Sequence, residues 1–241
     1  MLIDTHTHIN DLTGVDKIIY SGADRRRNQE VFAAASADTT GRIFCTLGFH
    51  TSEVDETNFD YESLLSHPKV VGVGEIGLDY YFGTDLRAEQ IALFEKQLEI
   101  VRRAKLPVCI HSRDATADMI KIAKDLPAGG VMHCFTGSFE FAKIMMDRGF
   151  FISASGVVTF KNAHNVRETF SKIPLDKIVV ETDAPWCAPV PFRGKECRPA
   201  MVIETVRVLA EIKNIPFLEI EEIVWHNAHK LYGKLNGTTD N

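Results

Sequence analysis

Apolar positions along this chain follow two different periods. Eight short stretches are nearly continuous in Val, Ile, Leu and Phe: residues 1–9, 16–23, 42–50, 69–77, 106–112, 129–135, 149–155 and 176–184. Runs of this kind read as strands covered on both faces, as in a parallel sheet. Between them, apolar residues recur at helical spacing. "DLRAEQIALFEKQLEIVRRAK" (85–105) places Ile91, Phe94, Leu98 and Val101 on one stripe. Further helices are predicted over 113–127, with Asp114 or Thr116 as cap, and over 138–149, from the Ser138 cap to Gly149. Two more follow over 199–214, opened by Pro199, and over 217–235.

Eight strands with intervening helices predict an α/β fold, a (β/α)8 TIM barrel. Only "NDLTGV" separates the first two strands, too short for a crossover helix, so the first barrel helix is missing or reduced. A doubly wound open sheet is the alternative, but no GxGxxG or P-loop follows any strand. The barrel is expected to occupy residues 1–235 as one domain, and "NGTTDN" (236–241) to fray as a flexible tail.

Polar residues interrupt the apolar runs repeatedly at one end. In "LIDTHTHIND", Asp4, His6 and His8 fall at alternate positions, which share a side in a regular strand. His50, Glu75, His111, His133 and Asp183 then mark the C-terminal ends of five other runs. Barrel enzymes carry their active sites at that end. Imidazole and carboxylate donors suit borderline divalent ions. A central carboxylate can bridge two ions, which together stabilise attacking and leaving oxygens and acidify water. Each histidine alone reads as an ordinary buried residue; jointly they point to a metal site. Asp4 lies deeper and is expected to orient a ligand histidine. His67, His164, His226 and His229 read as structural or exposed.

Composition narrows the class. The chain has 241 residues, 45% apolar and 25% charged, as in an ordinary globular protein. Its net charge of −6 excludes bulk-charge attraction to nucleic acid, so phosphate binding requires a local basic patch. The five cysteines are odd in number and form no CxxC pair, which suits a reducing compartment. No signal-peptide pattern and no membrane-length apolar run occur, so the cytoplasm is the expected location.

The stretches "DTHTHIND", "GFHTSEVD", "GVGEIGLDYYF", "PVCIHSRDA", "GVMHCFTGS", "SASGVVTFKNA" and "VVETDAPWCAPVPFRGKECRPA" resemble, in this order, the TatD family of metal-dependent deoxyribonucleases, within the amidohydrolase-like barrel superfamily. The closing "NAHKLYG" resembles it too, so the likeness covers almost the whole chain. The resemblance implies two divalent ions, Mg, Mn or Zn: one on His6, His8 and Asp183, the other on His111 and His133, with Glu75 bridging. It implies catalytic roles for Glu75 and Asp183, and DNA as substrate. Asn10 stands where the family usually has Asp, Thr51 where Pro is common, and Arg198 near a usual acid; these departures touch substrate choice, not the ligands.

His50, Arg113, Lys161, Arg193 and Lys195 are the candidate substrate contacts, interleaved with Tyr80, Tyr81, Phe82, Phe160, Trp186 and Phe192. Arg and Lys bind phosphate, aromatic faces stack bases, and the two interleaved suit a single-stranded DNA end. Loop packing and solvated charge are the competing explanation, and His50 reads equally as a backbone-bonded strand-end histidine. Arg25, Arg26 and Arg27 read as a solvated helix start rather than a phosphate patch. Hydrolysis of C–N or ester bonds is the enzyme alternative on such a scaffold. A metal-binding protein without turnover is the other. Neither membrane nor obligate protein partner is expected.

Overall fold

Each of the eight apolar runs forms a strand in the computed structural model, which describes residues 1–236. The strands are β1 (Ile3–Thr7), β2 (Lys17–Ser21), β3 (Ile43–Leu47), β4 (Val70–Asp79), β5 (Val108–Arg113), β6 (Gly130–Met132), β7 (Phe150–Ala154) and β8 (Ile178–Val180). All neighbours pair in parallel, in sequence order from β1 to β8. The ring is drawn shut beyond β8, where His8 N–H donates to Ala184 O at 2.7 Å and Asp183 N–H to His6 O at 3.0 Å. The fold is the expected (β/α)8 barrel.

The helices are α1 (Arg25–Ala37), α2 (Arg87–Ala104), α3 (Thr116–Ala123), α4 (Phe139–Asp147), α5 (His164–Lys172), α6 (Val202–Lys213) and α7 (Phe217–Leu231). No helix lies between β1 and β2, as their short connection requires. Among the described residues, β3 also lacks a following α-helix and is succeeded by a 3-10 turn at Asp60–Leu64. The arginine run opens α1: Asp24 caps it, accepting Arg27 N–H at 2.7 Å. Arg25 pairs with Glu56 and Asp60, and Arg27 with Glu30.

The expected cap of the helix over 113–127 is corrected. β5 runs on to Arg113, Asp114 takes φ 55°, and α3 starts behind Ala115 with no side-chain cap. Ser138 does cap α4, accepting Phe141 N–H at 3.3 Å. α5 is an element that the hydrophobic pattern did not indicate. Of the expected tail, Asn236 ends a 3-10 turn (Gly233–Asn236), and 237–241 lie outside the described residues.

Alternation along the strands builds two apolar layers. Ile18, Val73, Ile110 and Ile152 face outward and pack beneath the helices. Ile3, Ile19, Phe44, Val71, Cys109, Val131, Phe151 and Val179 fill the barrel interior, with Ala228, Leu231, Tyr232 and Leu235 of the C-terminal segment packed against them. This apolar cluster occupies one end of the barrel. The polar strand-end residues therefore gather at the other end, above this packed apolar layer. No helix among the described residues is long and apolar enough to cross a membrane.

Candidate metal centre

Glu75 sits within β4, almost fully buried, and its two oxygens face different groups of imidazoles. Oε2 lies 3.3 Å from His6 Nε2 and 3.4 Å from His8 Nε2. Oε1 lies 2.7 Å from His111 Nδ1, 3.0 Å from His133 Nε2 and 3.6 Å from His50 Nε2. Asp183 Oδ1 joins the first group, 3.7 Å from His6 Nε2 and 3.8 Å from His8 Nε2. Residues from five other strand ends thus converge around one carboxylate.

The remaining ring nitrogens are held from behind. His8 Nδ1–H donates to Ser21 O at 3.1 Å. His111 Nε2–H donates to Asp79 Oδ2 at 2.9 Å, and His133 Nδ1–H to Glu181 Oε1 at 3.2 Å. Each of these partners only accepts, so the outer nitrogen carries a proton and the other nitrogen is turned toward Glu75. His6 Nδ1 lies 3.2 Å from Ser21 Oγ and 3.4 Å from Cys109 Sγ.

This donor set fits divalent metal. Donors about 2.0–2.2 Å from a shared tetrahedral centre stand about 3.3–3.6 Å apart, close to the separations around Glu75 Oε2. His6, His8 and Asp183 offer ligand atoms within 4.8 Å of one another, as do His6, Glu75 and His133, and His50, Glu75 and His111. Buried carboxylates also need compensating positive charge. Burial would raise the Glu75 pKa, but His133, His50 and His111 hold it well below the carboxylate range. Burial pushes Asp183 up to about 8 and, with His133 beside it, His6 down to about 4.

Glu181 and Asp79 are functional neighbours that the reading of strand ends passed over. Glu181 is buried and accepts Cys134 N–H at 2.6 Å, besides Ser153 Oγ–H at 2.6 Å and His133. The available signal was an acid within the buried run "IVVETD", where it requires partners. Asp79 stands on β4 two pleats beyond Glu75. Gly77 between them has φ 152°, and a Cβ there would lie 1.9 Å from His111 O, so glycine lets β4 approach β5.

Asp4 corrects an expectation. The register slips between Asp4 and Thr7, breaking the simple alternation of the first strand. Asp4 Oδ1 accepts the backbone N–H groups of Thr182 at 2.9 Å and His6 at 3.3 Å, and Oδ2 accepts the Thr182 hydroxyl. It ties β1 to the segment after β8 and touches no imidazole ring.

A cleft of about 680 Å³ opens over the cluster. His50, Arg113, Phe82, Trp186 and Arg27 line it, whereas Lys161, Arg193 and Lys195 stand outside its lining. Arg113 stacks over Tyr81 at 3.5 Å and Arg193 over Phe160 at 3.7 Å; Lys195 stands 5.9 Å from the Phe192 ring. Of the other histidines, His164 and His226 are exposed and His67 is half-buried. His229 Nδ1–H donates to Trp225 O at 2.9 Å.

A parallel barrel carrying imidazoles and carboxylates at the C-terminal strand ends defines a metal-dependent hydrolase. A family model described as TatD related DNase matches residues 3–233. The chain is 40% identical over 256 residues to the metal-dependent hydrolase YcfH of Escherichia coli strain K12, covering 96% of this chain and 95% of YcfH. It is 36% identical over 252 residues to the metal-dependent hydrolase YabD of Bacillus subtilis, covering 96% and 99%. The crystal structure of YJJV, a TatD homolog from Escherichia coli K12, superposes with a TM-score of 0.86 at 30% identity, covering 96% of this chain and 98% of YJJV. The chain belongs to the TatD family.

Proposed function

We propose that this hydrolase cleaves phosphodiester bonds at single-stranded ends of DNA, as an exonuclease, with two divalent ions held around Glu75. The observation that carries the reading is the division of the Glu75 carboxylate, Oε2 toward His6 and His8 and Oε1 toward His111 and His133. In this reading His6, His8 and Asp183 would hold one ion and His111 and His133 the other, with Glu75 serving both. Bound there, the ions supply Lewis-acid stabilisation of the attacking and leaving oxygens and acidify water.

The chain's own residues do the remainder. Asp183 takes the proton of the attacking water. His50, beside Glu75 Oε1, donates to a phosphate oxygen or to the leaving group. Arg113 binds phosphate within the cleft, and Lys161, Arg193 and Lys195 bind it further along the strand. Phe82 and Trp186, both exposed on the cleft, stack unpaired bases. The histidine-rich donors favour Zn or Mn over Mg. The five free cysteines support the cytoplasm as its compartment, and the reading calls for neither membrane nor obligate protein partner.

The test is digestion of single-stranded oligonucleotides labelled at either end, by protein loaded in turn with Mg, Mn, Co or Zn. Stepwise shortening from one end is expected. Internal cuts would replace the exonuclease assignment. No cleavage with any metal, together with turnover of amides, lactones or cyclic ureides, would overturn the nuclease reading.

A further inference from the structure

Two thiols on the wall of the cleft take no part in the proposed hydrolysis. Cys134 follows His133 on the loop after β6, and Cys187 lies four residues beyond Asp183 on the loop after β8. Their sulfurs and a carboxylate oxygen of Asp183 lie within 4.8 Å of one another. Cys187 Sγ is 3.7 Å from Asp183 Oδ2, and Cys134 Sγ is 3.2 Å from Ser155 Oγ. Both cysteines take left-handed backbone conformations, φ 44° and 53°, which are uncommon for residues bearing a Cβ. The second loop is seated closely: a Cβ on Gly156 would lie 2.1 Å from Cys187 O.

We propose that Cys134, Cys187 and Asp183 Oδ2 form a further cation position, for a thiophilic divalent ion of the zinc or cadmium type. Asp183 is divided as Glu75 is. Its Oδ1 faces His6 and His8 at 3.7 and 3.8 Å, while its Oδ2 faces Cys187. A sulfur and an oxygen bound to one tetrahedral zinc, at about 2.3 and 2.1 Å, stand about 3.6 Å apart, and the 3.7 Å separation here fits that edge. Thiolates select such ions over Mg and Mn. The third position would therefore fill under different conditions from the imidazole positions, releasing thiol protons as it does. An ion there ties the loop after β6 to the loop after β8 across the mouth. The site needs Asp183 but is independent of what the cleft hydrolyses.

The full-length chain, stripped of metal and kept reduced without oxygen, is titrated with cobalt. Thiolate ligation gives a near-ultraviolet sulfur-to-cobalt charge-transfer band, which imidazole and carboxylate ligands do not. The expected result is such a band in the wild type, with Cys134 and Cys187 protected from alkylation by bound metal. Cys187→Ala and Cys134→Ser, each folded by circular dichroism, should lose the band and one equivalent of bound cobalt. No thiolate band in the reduced wild type, or a band that survives in both variants, overturns the proposal. A Cys134–Cys187 disulfide in the isolated protein, with no band after reduction, overturns it as well. None of these results bears on cleavage of DNA, so the two readings fail separately.

Discussion

Glu181 accepts the outer ring N–H of His133 at 3.2 Å from a position that is itself almost wholly buried. The same oxygen accepts Cys134 N–H, so one carboxylate sets both the tautomer of the imidazole and the path of the loop behind it. Glu181→Gln keeps the volume but replaces an acceptor pair with an amide. Metal affinity is expected to fall about 10- to 100-fold, the usual effect of losing a partner behind a ligand. Chelator competition measures it; an unchanged affinity would show that His133 needs no such support.

Stacking makes a separate demand. Phe82 is 91% exposed on the rim of the cleft, where it contributes little to the fold. Base stacking on an aromatic side chain is worth about 1–3 kcal/mol, or roughly 5- to 150-fold in affinity. Phe82→Ala is therefore expected to raise KM for a single-stranded oligonucleotide by a factor in that range, leaving cleavage of a small chromogenic phosphodiester unchanged. Equal loss on both substrates would assign Phe82 to loop structure instead.

Much of the site was legible in the sequence because its signal is an interruption. His6, Glu75, His111 and Asp183 each end or break an apolar run, and parallel strands send such ends to one face. Glu181 and Asp79 were not legible as site residues because their role depends on which ring stands opposite, which is fixed only when β4 meets β5 and when β8 comes beside the loop after β6. Asp4 departs from its expected role for a related reason: a register slip within β1 cannot be seen in an alternation count. Among the elements, α5 escaped because only Val166, Thr169 and Phe170 of its nine residues are buried, too few for a clear stripe.

Stability away from the site depends on Asp38, at the end of α1. Its carboxylate accepts the N–H groups of Thr40, Arg42 and Ile43 at 3.0, 2.9 and 3.0 Å, and Lys69 Nζ at 2.7 Å. Burial would raise its pKa, but the Ile43 N–H, Lys69 and Thr40 hold it far below the usual value. A carboxylate with a depressed folded pKa contributes stability above its unfolded pKa, about 3.9, and loses it as pH falls toward the folded value. Asp38→Ala is expected to cost about 2–3 kcal/mol at neutral pH. The deficit should shrink below about pH 4, as the wild type loses the same interactions. Urea unfolding across pH decides; a constant deficit would contradict the assignment.

The most direct measurement is the cleavage rate of one end-labelled single-stranded oligonucleotide by metal-loaded wild type and by Glu75→Ala, with bound metal counted in both. The wild type is expected to shorten the strand with two ions bound at the imidazole positions. The variant is expected to lose at least one ion and about 100-fold or more in rate, since Glu75 faces both imidazole groups. Equal rates in the two proteins, or an inert wild type with both positions filled, would contradict the role given to Glu75.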